Sequence, residues 1–374
     1  MMRIQARATQ WMAALALACA AAFSAAQAPP ASEPPPASEP RAAAEPESPA
    51  GVDVALVLPL ESPAYARAAE AVRSGFLAAA DASKSKLRTQ VFSHGDDGVL
   101  TAFEAAQRAG ARVIVGPLVR DDLKVVAAMA VDLPFTIALN QFDEAAGPPL
   151  TLYTLPLSID SDARLIARRM REAPTSAAAT QPSVVVVTSD TPLMRRFAAA
   201  FTSEWLAGGG AVPGALRFEN SADALAAMRR ELTRKPPSAV LLATDGPSAT
   251  LAKPYLGTVP TYASALVFER ETIATMRDLD GLVVTEIPWI VTPNAPQFDK
   301  LPRRDFGSAA LTRLYALGLD AFRVAEVFRD GAPVEFTLEG ASGQLTLVEG
   351  RQFAREGRFA VFRDGVLVPL DAPR

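Results

Sequence analysis

From residue 52 onward the sequence switches regularly between two hydrophobic periods, and this alternation fixes the kind of body the chain can build. A short apolar run at 52–59 (VDVALVLP) has the length of a buried strand, and further strands are predicted at 89–93, 112–115 and 135–139. Segments between them, at 64–82, 99–109 and 120–131, carry apolar residues at helical spacing, including Ala68, Val72, Phe76 and Ala79 in the first. Continuous apolar strands are those buried on both faces. With short connections, the product is a parallel sheet flanked by helices.

A linking strand at 152–157 opens a second series of the same kind. Helices are predicted at 159–171, 193–207 and 222–234, and strands at 184–188 (VVVVT), 216–219, 239–244, 259–263 and 282–287. A long helix follows at 308–329. The tail breaks the pattern, with short antiparallel strands predicted at 344–348, 358–362 and 366–370 and a tight turn at Asp364-Gly365. The 374 residues are enough for two such lobes, each with its own core. The fold class read here is α/β, two-lobed, with a C-terminal antiparallel hairpin.

The start of the chain is of another character. Arg3 and Arg7 precede an apolar and small run from Trp11 to Phe23, and Ser24-Ala25-Ala26-Gln27 follows. This is the layout of a secretory signal, over 1–27. Cys19 leaves two processing sites open: lipidation at Cys19, whose preceding Leu17 stands one place late for a lipobox, or cleavage near Ala26. Residues 28–50 are almost wholly Pro, Ala, Glu and Ser, a composition with too little apolar surface to fold, and they read as a linker.

Composition removes several functions. The formal net charge of −4 gives no basic excess for a nucleic-acid partner. One Cys and one His leave no cluster for a soft metal and no intrachain disulfide. His94 is the single histidine, and no Gly-x-Ser-x-Gly elbow presents a serine to it. Ser83-Lys84-Ser85-Lys86 has Ser-x-x-Lys spacing but sits after a predicted helix instead of opening one. Gly208-Gly209-Gly210 follows a helix and precedes a strand, the reverse of a phosphate loop, and reads as a helix stop. Asp96-Asp97 and Asp121-Asp122 fall at helix starts, where they cap free N–H groups and suit the dipole. No catalytic set and no cofactor are expected. The residues point to binding.

Several short stretches, taken in order, resemble a known family. They are Val54-Ala55-Leu56-Val57-Leu58-Pro59-Leu60, Val72-Arg73-Ser74-Gly75-Phe76, Val115-Gly116-Pro117-Leu118 and Ala138-Leu139-Asn140. Leu279-Asp280-Gly281-Leu282 running to Ile287-Pro288-Trp289 continues the series, then the stretch from Arg313 to Arg323 (RLYALGLDAFR) and Gly340-Ala341-Ser342-Gly343-Gln344-Leu345. Together they resemble the C-terminal domain of the LppC/LpoA family, outer-membrane lipoproteins that activate a bifunctional penicillin-binding protein. The resemblance covers residues 52–370. It implies the type I periplasmic-binding fold, with chain crossings near Leu155-Pro156, Pro288-Trp289 and Pro333. Lobe one would then be 52–155 plus 289–333, and lobe two 156–288 plus 334–374. Long family members carry an N-terminal helical-repeat domain, and here the Pro-rich stretch stands in its place.

The implied function is a non-catalytic periplasmic regulator of a class A penicillin-binding protein, with membrane attachment only through a lipid on Cys19. A periplasmic solute-binding protein delivering an amino acid or similar small molecule to a transporter stands beside it. In this fold ligands sit between the lobes, at strand C-termini. The cleft residues expected from lobe one are Leu60, Glu61, Ser62, Tyr65, Ser93, His94, Pro117, Leu118, Asn140 and Gln141. Ser189, Asp190, Asp245, Glu286 and Trp289 are expected to face them. Pro and apolar residues dominate these loops, which favours a protein partner over a polar small-ligand cradle.

Overall fold

Val54–Leu58 form β1, and all five residues are fully buried, as a strand covered on both faces requires. The computed structural model describes residues 51–129, 133–142, 148–172, 182–269 and 276–371; the signal-like segment, Cys19 and the Pro-rich stretch lie outside them. After β1 come α1 (Ala66–Ala82), β2 (Thr89–Ser93), α2 (Val99–Arg108), β3 (Val113–Val115), α3 (Arg120–Ala127), β4 (Phe135–Ala138) and β5 (Leu152–Thr154). The second series is α4 (Ile159–Glu172), β6 (Val184–Thr188), α5 (Pro192–Ala207), β7 (Gly214–Arg217), α6 (Ala222–Arg234), β8 (Ala239–Ala243), α7 (Gly246–Ala252), β9 (Thr261–Ala263) and β10 (Leu282–Glu286). Then follow α8 (Pro288–Val291), α9 (Ala309–Phe328), β11 (Thr337–Glu339), β12 (Gln344–Val348), β13 (Gln352–Glu356), β14 (Arg358–Arg363) and β15 (Val366–Pro369).

Two sheets result. The first has the order β11-β12-β13-β5-β4-β3-β1-β2, and the second β15-β14-β10-β9-β8-β6-β7. β1 pairs in parallel with β2 and β3, Val54 lying opposite both Thr89 and Val113. Side chains of one strand divide between two cores, as the two-residue period demands. Val54, Leu56 and Leu58 face the core under α1 and α9, whereas Ala55 and Val57 face the core under α2 and α3. The second sheet does the same: Val240 and Leu242 enter one cluster, Ala239 and Leu241 the other. Helix starts are set by sequence: Thr191, Ser221, Asp245 and Ser308 each accept a hydrogen bond from the third residue onward. The acid pairs expected to cap α2 and α3 make no side-chain capping bond; Asp121 and Asp122 stand in the first turn of α3, where they suit the dipole, and Asp121 also accepts from Lys124 Nζ at 3.0 Å. Among the described residues no helix is long and apolar enough to cross a membrane.

The third crossing differs from the expectation near Pro333. Strands β11 to β13 extend the first sheet, β13 pairing in parallel with β5, and the chain passes to the second sheet only at Gly357. Leu345 and Phe353 enter the core of the first lobe, which holds this segment there. A Cβ at Gly357 would lie 2.9 Å from the Glu286 carbonyl oxygen, so the crossing threads close to the end of β10. The expected hairpin is present as β14–β15, antiparallel, and Asp280 accepts from the N–H groups of Asp364 and Gly365 at its turn.

Packing of α1 on α9 depends on two glycines. A Cβ at Gly75 would stand 2.0 Å from the Tyr315 carbonyl oxygen, and one at Gly318 would stand 2.1 Å from that of Val72. Between them Phe76 and Phe322 meet edge to face with centroids 5.3 Å apart. Neither backbone can yield without moving a helix. Gly318→Ala is therefore expected to lose about 2–3 kcal/mol by overpacking. Chemical denaturation measures it, and an unchanged midpoint would contradict the close approach.

Candidate functional site

The lobes meet across a junction tied by two buried arginines. Arg313, from α9 on the first lobe, reaches Glu286 at the end of β10 in the second, with Nη2 donating to Oε2 at 2.6 Å and Nε to Oε1 at 3.0 Å. The same Nη2 donates to the Ala265 carbonyl at 2.8 Å. Arg355, from β13, donates to Asp162 Oδ1 in α4 at 2.7 Å and to the carbonyls of Ser158 and Ser342. Glu286 is 1% exposed and Asp162 7%, so these pairs are held away from water. Burial disfavours the Arg313 cation, but the carboxylates of Glu286, first, and of Asp162 and Glu269 together hold Arg313 above its ordinary value. Burial pushes the Asp162 carboxyl up, against the pull of Arg355. On the surface beside them, Arg168 of α4 donates to Glu356 of β13 at 2.6 Å.

These ties border a cavity of about 220 Å³ between the lobes, whose other walls include Leu157, Ile159, Leu266, Ile287 and Leu314. Its charged side chains are thus paired with one another, and its remaining walls are mainly apolar. Of the residues expected from the sequence to form a cleft, Glu286 lines this cavity.

The other expected residues fall into separate groups. Ser93 Oγ donates to Glu61, and the Glu61 N–H donates to the His94 carbonyl at 3.1 Å, joining the ends of β1 and β2. Leu60 is half-buried against the first core, Ser62 is fully buried, and Tyr65 is exposed at the start of α1. His94 is buried, its Nδ1 2.7 Å from the Gly95 carbonyl and its Nε2 4.0 Å from Asp122, whose carboxyl burial pushes up. Pro117 and Leu118 end β3, and Asn140 Nδ2 donates to the Leu118 carbonyl at 2.8 Å. Gln141 Nε2 comes within 3.5 Å of Asp160 on α4, a contact between the lobes. In lobe two Ser189 is buried, Asp190 is exposed and paired with Arg195 and Arg217, and Asp245 caps α7. Trp289 is 3% exposed in the first lobe's core, packed on Phe298 and Tyr315.

Sequence stretches far apart in the chain converge at the junction. Asp320, fully buried on α9, accepts from the N–H groups of Ala341 at 2.8 Å and Ser342 at 2.7 Å, and from Ser342 Oγ at 2.6 Å. Burial pushes its carboxyl up while the Ser342 bonds draw it down. The Trp289 N–H donates to the Ala341 carbonyl at 3.1 Å, so the second crossing, the middle of α9 and the turn before β12 form one unit. Arg313 and Glu286 both lie within the resemblance stretches, but their pairing was not legible there. Arg355 lies outside those stretches, between the strands predicted at 344–348 and 358–362, and nothing in the sequence marked it.

Two α/β lobes, joined by three crossings around a buried polar junction, define a body of the type I periplasmic-binding-protein fold. The chain belongs to the family described as "LppC putative lipoprotein", whose profile matches residues 48–232 and 215–365. The penicillin-binding protein activator LpoA of Haemophilus influenzae is 26% identical over 342 residues, covering 85% of this chain and 55% of that protein. The chain thus spans about half the length of the curated relatives it matches. The solved LpoA C-domain from Haemophilus influenzae, described as a regulator of PBP1A, superposes with a TM-score of 0.71 at 24% identity, covering 85% of this chain and 99% of that one. A structure from Chromobacterium violaceum, described as "a putative branched-chain amino acid ABC transporter", has a TM-score of 0.72 and 29% identity, covering 83% of this chain and 100% of its own.

Proposed function

We propose that this protein is a non-catalytic regulator that docks on a class A penicillin-binding protein and raises its peptidoglycan-synthesising activity. The observation that carries the reading is the match to proteins named as LpoA activators across 85% of the chain, in the half of those proteins that holds the two-lobed body. The junction supports it: its arginines and carboxylates are committed to one another, which suits a scaffold better than a reaction centre. Among the described residues no group of three or more His, Cys, Asp or Glu side chains is placed to hold a metal ion. The signal-like start supports work in the periplasm, and a lipid on Cys19 would fix the protein to the outer membrane's inner face.

A second reading, solute binding for a transporter, is favoured by the likeness to the Chromobacterium violaceum structure. One experiment separates the two. Exported protein, its mature N-terminus read by mass spectrometry, is titrated in parallel with a purified class A penicillin-binding protein and with amino acids. The regulator reading expects a saturable complex with the synthase and no heat with amino acids. Tight amino-acid binding without synthase contact would replace it by the second reading.

A further inference from the structure

A second cavity, of about 440 Å³, lies at the second crossing and is not used by the reading above. Its volume falls within the roughly 300–1,000 Å³ of small-molecule sites, whereas the cavity at the arginine ties is smaller than that range. Walls come from both lobes: Phe268 from the second, Ile290 and Trp289 from α8, Arg303 and Arg304 from the segment before α9, and Ala309 and Thr312 from the first turn of α9.

Charge distinguishes this cavity from the first. Arg303 and Arg304 are both exposed, and neither has a carboxylate within ion-pair distance among the described residues. Arg303 is held in place without being neutralised: its guanidinium lies 3.5 Å over the Trp289 ring and donates to the carbonyls of Trp289 and Pro293. Partial burial pushes it below its ordinary value. Arg304 donates to Ser74 Oγ at 2.5 Å, and Ser74 in turn donates to Glu70, whose carboxylate already takes two bonds from Arg73. Asp305 supplies one opposing charge on the wall and accepts from the Gly307 N–H at 2.9 Å. The first turn of the 20-residue α9 adds the positive end of its dipole on the same side.

We infer that this cavity is a binding site for a small organic oxyanion, its charged group held by Arg304 and Arg303 beside the first turn of α9 and its apolar body against Phe268 and Ile290. Guanidinium forks match phosphate and carboxylate oxygens alike, so the two chemistries share the site. Because Phe268 belongs to the second lobe, an occupant spans the second crossing and touches both lobes. The inference does not depend on the regulator reading.

Calorimetry on the exported protein tests it with phenyl phosphate, benzoate, inorganic phosphate and benzyl alcohol. Saturable one-to-one binding is expected for phenyl phosphate or benzoate, the stronger of the two naming the preferred anion, with binding at least about tenfold weaker for inorganic phosphate and none for the alcohol. Arg304→Ala and Phe268→Ala are each expected to weaken the aromatic anion about tenfold. Thr312→Asp sets a carboxylate at the anion's place, in a helix turn that tolerates acids, and is expected to abolish binding at an unchanged melting temperature. The inference is overturned by absence of saturable binding with either aromatic anion, by equal binding of benzyl alcohol, or by undiminished affinity in both Arg304→Ala and Thr312→Asp.

Discussion

Arg313→Ala is expected to cost about 3–5 kcal/mol, the range for removing one partner of a buried ion pair. The residue left behind sets the size of the loss. Glu286 is 1% exposed, and without Arg313 its side chain keeps the N–H of Ile287 at 2.8 Å as its hydrogen-bond donor. The carbonyl of Ala265 loses one of its two donors in the same step and keeps the Phe268 N–H at 2.9 Å. Breaking the pair also removes a tie between α9 and the second lobe, so loosening of the junction accompanies the loss of stability. The double variant Arg313→Met with Glu286→Leu deletes both charges and refills the space. It is expected to recover most of the loss, because apolar replacements of whole buried pairs are often neutral. Urea denaturation of the three proteins makes the comparison. A single variant as stable as the parent would show that the pair is not buried as described.

Asp320→Ala is the second large effect. The carboxylate accepts three bonds from Ala341 and Ser342, and two of the donors are backbone N–H groups in a buried turn. Each buried donor left unpaired costs about 1–3 kcal/mol, so a total near 3–5 kcal/mol is expected. Ser342→Ala, which removes one hydroxyl donor, is expected to cost about 1 kcal/mol. Asn at 320 keeps the shape but turns an NH₂ toward the Ser342 donors, and it should recover little. Thermal unfolding gives the stabilities, and hydrogen exchange at the Ala341 and Ser342 amides localises the change. If those amides stay protected in Asp320→Ala, another group must hold the turn.

The central parallel strands were legible because their residues are almost all apolar. Val54–Leu58, Val184–Thr188 and Ala239–Ala243 could be buried on both faces in no other arrangement. The third crossing was misplaced because β11 and β13 carry weak signals. Thr337-Leu338-Glu339 is three residues long and half-polar. Gln352–Glu356 turns Arg355 inward where a reader of alternation expects an apolar side chain. α7, which is not among the helices predicted from the sequence, begins Gly246-Pro247 and is capped by Asp245. The junction was less legible still. Arg313 and Glu286 are 27 positions apart, and Arg355 and Asp162 are 193 apart, so only the fold brings them together. Trp289 was expected in the crevice from its place after a strand end, but Phe298 and Tyr315 enclose it in the first core.

What the two-lobed body does to another protein is measured as a rate. Purified class A penicillin-binding protein polymerises lipid-linked disaccharide-peptide precursor alone and with increasing amounts of the exported protein. A saturable acceleration of glycan synthesis is expected, with no product formed by the regulator alone. A rate unchanged at every concentration, with no complex between the two proteins, would contradict it.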